Sequence, residues 1–163
     1  PPTLLTVLFV KQAGCRDVDE LFLKCYHGEI SEADLQPMAK LVFDAAFDGD
    51  ATACDILEWG GLYLGKMVNA AARELGMCRE TFDVVMAGSV FKGSSPVLKD
   101  AMGTSIHREC PEARLVMPMY EPVVGTLLMG MELDIEITDT IYERLSQGLR
   151  EAEDRYGVKL RTD

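Results

Sequence analysis

The feature that most constrains the fold of this 163-residue chain is a strand–helix–strand pattern in its second half. The short apolar run 82–87 (FDVVMA) is bounded by turn residues, which predicts a buried strand. Ser95 is a candidate N-cap with Pro96 at the first helical position, and the run 113–117 (ARLVM) predicts a second strand. Strands joined by such a crossover run parallel. We therefore expect an α/β fold with a short parallel sheet, which two strands alone leave incomplete.

The first half of the chain is predicted to be helical throughout. Apolar residues recur at helical spacing in four stretches, 3–10, 17–27, 31–46 and 51–74. The last stretch is the longest, and the residue before it, Asp50, is a good N-cap, with Gly76 as its expected end. Ser31 can cap the third stretch, with Asp34 three positions on as a weaker version of the capping box.

A glycine pair, Gly60-Gly61, lies in the middle of this long helix. Each glycine should cost about 1 kcal/mol of helix stability. The pair indicates either close packing against another helix or a close approach to a ligand or another backbone.

Two further helices are expected in the last third of the chain. Pro122 should open an apolar helix to about residue 131, and Thr138 should cap a last helix to about residue 156. Between them, residues 132–137 alternate acidic and apolar side chains, a strand-like pattern with a solvated charged face.

The net charge and the cysteine content limit the partners and the cellular compartment that can be expected for this chain. With 16 basic and 27 acidic residues the chain has a net charge of −11, which argues against nucleic acid or an anionic membrane as partner. Neither apolar run, 1–10 or 122–131, is long enough to span a bilayer. The five cysteines are widely spaced and odd in number, which predicts reduced thiols in a cytoplasmic protein and no metal site.

The loop after the first strand, VMAGSVFKGSSP (85–96), is the main candidate for chemistry. It lies at the carboxyl end of a strand, where open α/β sheets bind ligands. Gly88 and Gly93 have phosphate-loop spacing and can adopt positive φ, but Ser94 stands where that motif needs a lysine, and Lys92 precedes Gly93. Three interpretations stay open: a phosphate loop, which the missing lysine disfavours, another ligand loop, or a plain strand-to-helix turn.

No complete active site is visible in the sequence. His27 and His107 lack the neighbours of a catalytic triad or metal site, and we expect structural or solvated roles for both. No acid–base pair stands out, so no catalytic residue is predicted.

Several stretches resemble one protein family. GDATACDILEWGGLYLGKMVNAAARELG (49–76) and FDVVMAGSVFK (82–92) are similar to the C-terminal lobe of N-acetylglucosamine kinases. These kinases belong with the BadF/BadG/BcrA/BcrD ATPases, in the superfamily of sugar kinases, Hsp70 and actin. ARLVMPMYEPVVGTLLMGMEL (113–133) resembles the closing segment of that lobe, and residues 1–50 are also similar.

The resemblance implies a helix-rich, ribonuclease H-like lobe of the actin-type ATPase fold over residues 1–133, with residues 134–163 as a helical tail packed on it. In that family the loop after this strand contacts adenosine. Gly88 and Ser89 would therefore lie against adenine and ribose, flanked by Val90, Phe91 and Lys92. Many relatives have two glycines where this chain has Gly88-Ser89, a mild departure because serine is also small. The implied ligands are ATP, with Mg²⁺ in the complete protein, and a small sugar, N-acetylglucosamine or a related amino sugar.

The family's DGGGTKT-like phosphate loop, its second phosphate loop and its catalytic aspartate have no match here. The resemblance thus implies a C-terminal fragment or a separately made lobe that is inactive alone and works with an N-terminal lobe, with a homodimer as a further arrangement. Two alternatives remain. One is an ATPase activator of a 2-hydroxyacyl-CoA dehydratase or benzoyl-CoA reductase, whose cluster cysteines the chain does not match. The other is a non-catalytic interaction domain.

Overall fold

The computed structural model describes residues 3–160 and shows a helix-rich chain with one short sheet of two parallel strands. This architecture is consistent with the predicted α/β class. The chain divides into two compact units, Pro1–Val84 with Gly88–Arg114, and Val85–Ala87 with Leu115–Asp163. The predicted boundary at 133/134 stays a prediction.

The helices and strands follow one another along the chain with short connections. Before the first strand lie the helices α1 (Leu4–Gln12), α2 (Val18–Tyr26), α3 (Glu32–Leu35), α4 (Met38–Phe47) and α5 (Ala51–Glu74). The remaining elements are β1 (Asp83–Val85), a 3₁₀ turn (Ser89–Lys92), α6 (Val97–His107), β2 (Arg114–Val116), α7 (Pro122–Glu132) and α8 (Asp139–Tyr156).

Most predicted helix ends are confirmed, and one predicted helix is wrong. The stretch 31–46 forms two helices, α3 and α4, rather than one. The helix is interrupted at Pro37. Proline lacks the amide that a helix interior needs, and its ring clashes with the preceding turn. The start of α3 is as predicted, with Ser31 and Asp34 forming a reciprocal capping box.

Asp50 caps two helices at once. Its Oδ1 accepts hydrogen bonds from the Ala53 amide and from the Thr3 hydroxyl, both at 2.9 Å. Its Oδ2 accepts from the Leu4 amide at 2.7 Å. One carboxylate therefore satisfies free N–H groups at the starts of both α5 and α1. The bonds from Ala53 and Leu4 lower the pKa of Asp50.

Helix α5 packs on α6 at backbone distance, which confirms the close-packing interpretation of the glycine pair. A Cβ on Gly61 would lie 2.2 Å from the Leu98 carbonyl oxygen, whereas a Cβ on Gly60 would meet nothing nearer than 3.9 Å. Gly65, one turn further on, would place a Cβ 2.5 Å from that of Ser105. Gly61 and Gly65 therefore make the contact, and Gly60 does not.

The buried ridge of α5 continues to Asn69 through residues spaced by four. Asn69 is buried, and its Nδ2 donates to the Ser105 carbonyl at 2.8 Å, near the end of α6. This bond satisfies one of the carbonyls that a helix end leaves without an intrahelical partner. Ile56 and Met67, two apolar residues of the same helix, are exposed, because small residues form its packing face.

The core of the first unit joins α1, α4, α5 and α6. Its buried residues form one apolar cluster: Leu5, Phe43, Ala45, Ala46, Ala53, Leu57 and Leu98. Because α4 contributes Phe43 and α6 contributes Leu98, burial of this cluster positions the segment just before α6 relative to α4.

The strand order and direction are confirmed, but the prediction of a buried strand is wrong. The Arg114 amide donates to the Phe82 carbonyl and the Met86 amide to the Val116 carbonyl, both at 2.8 Å. Asp83 and Val85 are exposed, and Asp83 pairs with Arg114 at 2.7 Å. A sheet of two short strands is too small to be covered on both faces.

The second unit contains α7 and α8, with Val124 and Leu149 buried. Within it the Tyr120 hydroxyl and the Ser146 hydroxyl are 2.9 Å apart. Helix α8 begins at Asp139 as predicted, although the Thr138 side chain makes no capping bond.

The strand-like segment predicted at 132–137 is wrong. Glu132 ends α7, and the amides of Asp134 and Ile135 both donate to the Met131 carbonyl. These amides close the helix end and do not pair with a strand.

No helix among residues 3–160 is both long and apolar enough to cross a membrane.

The glycine contact predicts opposite effects of one substitution at adjacent positions. Gly61→Ala should destabilise the protein by about 1–3 kcal/mol, because the new methyl group collides with the α6 backbone. Gly60→Ala should stabilise it by up to about 1 kcal/mol through helix propensity. Urea denaturation of both variants measures the difference, and equal effects would contradict the contact.

The double cap predicts a specific pH dependence. The lowered pKa of Asp50 means that its contribution to stability is complete above the unfolded-state value of about 4 and is lost as the pH falls through the folded-state value. Asp50→Asn cannot ionise, so the stability gap between wild type and this variant should shrink as the pH falls from about 5 to about 3. Urea midpoints across this range measure it. Asp55→Asn, exposed on the same helix, is the matched control, and an equally shrinking gap there would contradict the assignment.

Candidate functional site

The loop between β1 and α6 contains a backbone conformation that only glycine adopts readily. Gly88 has φ +121° and ψ 162°, and a 3₁₀ turn over Ser89–Lys92 follows it. The prediction of positive φ is confirmed for Gly88. It is wrong for Gly93, whose φ is −62°.

Gly93 is needed for space and not for backbone freedom. A Cβ at this position would lie 2.1 Å from Cδ1 of the Phe43 ring. Phe43 is buried in the core of the first unit. The aromatic ring therefore packs directly on the loop backbone and holds the loop against α4.

This loop forms one wall of a cleft of about 620 Å³, and the junction of α3 and α4 forms the other wall. Ser89, Val90 and Lys92, all predicted site residues, line it together with Gly93 and Ser94 of the same loop. Gly88 is not among the lining residues and borders open space, and Phe91 packs against the core. The opposite wall consists of Gln36, Pro37, Ala39, Lys40, Phe43 and Asp44.

A hydrogen bond from Ser94 to Asp44 joins the two walls, and an ion pair within α4 engages the same carboxylate. Its Oδ2 lies 2.8 Å from Lys40 Nζ, and its Oδ1 accepts from the Ser94 hydroxyl at 2.9 Å. The bond from Lys40, followed by that from Ser94, lowers the pKa of Asp44, so the carboxylate is anionic at neutral pH. Ser94, at the position where a phosphate loop has its lysine, thus holds the loop against α4.

The start of α6 also differs from an anion-binding helix start. The helix begins at Val97, one residue later than predicted, and Ser95 Oγ accepts from the Val97 amide at 3.4 Å. Ser95 itself is buried, and Pro96 has no amide to offer. The start of α6 therefore offers a phosphate chain fewer amides than an ordinary helix start.

Sequence reasoning identified the loop but missed the α4 wall. The available signals were Lys40 and Asp44, a charge pair at helical spacing, and Pro37, which interrupts the helix. Neither signal indicates that this helix faces a loop some 50 residues away.

A second cavity, of about 740 Å³, lies in the second unit. Its lining residues come from α7, α8 and the segment before α7: Met119, Tyr120, Leu128, Asp139, Tyr142, Glu143, Ser146 and Arg150. No predicted site residue lines it.

The histidines are placed as expected. Nε2 of His107 lies 3.0 Å from the Ala113 carbonyl oxygen, and the ring of His27 meets that of Tyr26 edge-on. The five cysteines are free thiols. Within residues 3–160 no three His, Cys, Asp or Glu side chains come together as a metal site would require.

Comparison with known proteins adds no relative: no protein-family model matches this chain, and no curated protein matches it.

The packing of Gly93 on Phe43 predicts that a single methyl group disrupts this site. Gly93→Ala should cost about 1–3 kcal/mol of folding stability, because the buried ring cannot move away without leaving the core. The neighbouring Ser94→Ala removes one exposed hydrogen bond and should cost much less. Thermal unfolding of both variants measures this, and an unchanged Gly93→Ala midpoint would contradict the packing.

Proposed function

We propose that this chain is the adenosine-binding lobe of an ATP-dependent sugar kinase of the actin-type ATPase fold, with N-acetylglucosamine or a related amino sugar as acceptor. The supporting observation is the cleft beside the loop Gly88–Lys92. Three of its lining residues, Ser89, Val90 and Lys92, belong to the loop that the family resemblance assigns to adenosine.

The size and composition of the cleft suit a nucleoside. Its volume of about 620 Å³ lies within the usual range for small-molecule sites. Phe43, Pro37, Ala39 and Val90 offer apolar surface for a planar base, and Asp44 with Ser94 offers acceptors and a hydroxyl at the rim.

The start of α6 divides the nucleotide between two places. Of the two lysines that line the cleft, Lys40 is paired with Asp44, and Pro96 removes an amide from the start of α6, so the cleft suits adenosine better than a triphosphate. When bound, ATP would supply the phosphoryl group. A second lobe would contribute the phosphate loops and the catalytic aspartate.

No Mg²⁺ ligand is proposed on this chain. Asp44 is the carboxylate among the described residues that line the cleft, and Lys40 and Ser94 already engage it. In the proposed complete protein the ion would be bound by phosphate oxygens and by residues of the other lobe.

Calorimetric titration with adenosine, ADP and ATP tests the nucleotide half of the proposal. Adenosine and ATP should bind this chain with similar affinity, because the proposed contacts are to the nucleoside. Val90→Asp should weaken both by about tenfold or more, since it places a second carboxylate in the cleft.

The matched control is Val123→Asp, the same change at an exposed position of α7. Equal loss in both variants, or no adenosine binding to the wild type, would contradict the proposal and favour a non-catalytic interaction domain. The kinase half is tested separately, by ADP release that depends on N-acetylglucosamine in the complete protein.

A further inference from the structure

Helix α5 carries an exposed apolar face on the side opposite its contact with α6. Its residues, which follow one another at spacings of three, four and four, are Ile56, Trp59, Tyr63 and Met67. All four are exposed, with 70% of Trp59 and 54% of Tyr63 accessible to solvent. The other side of the helix is packed on α6 through glycines, so this face is presented by a fixed helix. A contiguous apolar face of this kind is typical of a contact with another protein.

The two aromatic residues form a platform at the centre of this face. The ring centroids of Trp59 and Tyr63 are 5.7 Å apart, and the ring planes differ by 15°. Because each ring restrains the other, a partner would lose little side-chain entropy by packing on the stacked pair. Tryptophan and tyrosine are also enriched among the residues that dominate the binding energy of interfaces.

Two opposite charges flank the same face. Asp55 and Lys66 are both exposed and are eleven residues apart, which is about three helical turns. The two side chains therefore lie along one edge of the face. Neither has an oppositely charged residue three or four positions away, so α5 itself offers no ion-pair partner at helical spacing.

The residues of this face form three pairs that share nearly one midpoint, the level of Gly61. The pairs are Trp59 with Tyr63, Ile56 with Met67, and Asp55 with Lys66. When two copies of a helix pack antiparallel about a two-fold axis at this level, each residue before the axis faces one after it. Aromatic rings then meet aromatic rings, aliphatic side chains meet aliphatic side chains, and the carboxylate of each copy faces the ammonium group of the other.

We propose that the exposed face of α5 is a self-association surface, on which a second copy of this chain packs antiparallel about a two-fold axis. The face is complementary to itself in shape class and in charge, which an isologous contact requires. A parallel pair would place Asp55 against Asp55 and Lys66 against Lys66, so like charges disfavour that arrangement.

Helix α2 provides a contrast, because it also exposes two stacked aromatic residues. The rings of Phe22 and Tyr26 have centroids 6.4 Å apart. The charges beside them are engaged within the same stretch of chain, since Glu20 pairs with both Arg16 and Lys24. The face of α2 therefore lacks the charge complementarity that identifies a second copy as the partner of α5.

The size of the face predicts a weak dimer. Two copies of these four side chains would bury about 1,000 Å² in total, at the low end for specific interfaces. We expect a dissociation constant between about 10 and 100 µM. At low micromolar concentration the chain is then monomeric, so stability measurements made there refer to the monomer.

Sedimentation velocity of the 163-residue chain, from about 10 µM to about 1 mM, tests the proposal. Salt at about 0.15 M screens the long-range repulsion between two chains of net charge −11. Trp59 is the single tryptophan, so its fluorescence emission should move to shorter wavelength over the concentration range in which the dimer forms. A chain that stays monomeric throughout, with unchanged emission, would overturn the proposal and leave the face to another partner.

Matched aromatic variants locate the contact. Trp59→Ala should weaken dimerisation by about tenfold or more, because it removes the centre of the face. Phe22→Ala, the same kind of change at an exposed position of α2, should leave dimerisation unchanged. A dimer that tolerates Trp59→Ala would contradict the assignment to α5.

A charge exchange tests the orientation. Asp55→Lys and Lys66→Asp should each weaken self-association, by about tenfold, because both ion pairs become like-charge contacts. An equimolar mixture of the two variants should form a heterodimer with about the wild-type affinity, since each lysine again faces an aspartate. Misfolding of either variant cannot produce this recovery. A heterodimer clearly tighter than the wild-type dimer would indicate parallel packing, and no recovery would exclude the charge contacts; either result would overturn the proposed arrangement.

Discussion

The packing of α5 on α6 without intervening side chains is the constraint on which the first unit depends. Gly61 lies against the Leu98 carbonyl, and the Leu98 side chain shares the buried cluster with Phe43. Phe43 in turn lies against Gly93, in the loop that precedes α6. A single chain of contacts therefore runs from the middle of the long helix to the candidate cleft. Its two glycines are sites where the smallest addition forces a neighbour to move.

Much of the local structure could be predicted from the sequence, because helix ends depend on neighbouring residues. Asp50 before α5, Gly76 after it and the Ser31–Asp34 box before α3 act through bonds within a few positions, and all are found in the structure. The buried face of α5 could not be predicted in the same way. Gly60 and Gly61 are identical residues, and only the position of α6 distinguishes them.

The candidate site shows the same contrast between features set by neighbouring residues and features set by distant contacts. A positive φ could be predicted for Gly88 because glycine adopts it readily in a turn, but the same local signal failed at Gly93, whose role depends on the distant Phe43 ring. The bond between Ser94 and Asp44 joins residues 50 positions apart, so nothing near Ser94 in the sequence indicates it. The same contact shows that the position of Ser94 faces a carboxylate.

The double cap at Asp50 has a consequence for how this chain folds. Helix α1 has nine residues, too few to persist alone in water, and its first amide is satisfied by a residue 46 positions away. Thr3 caps the helix locally by accepting from the Leu5 amide, but the Leu4 amide and the Thr3 hydroxyl gain their partner only once Asp50 has reached its native position. The start of α1 therefore becomes fully bonded only when the start of α5 is in place, despite their separation in sequence.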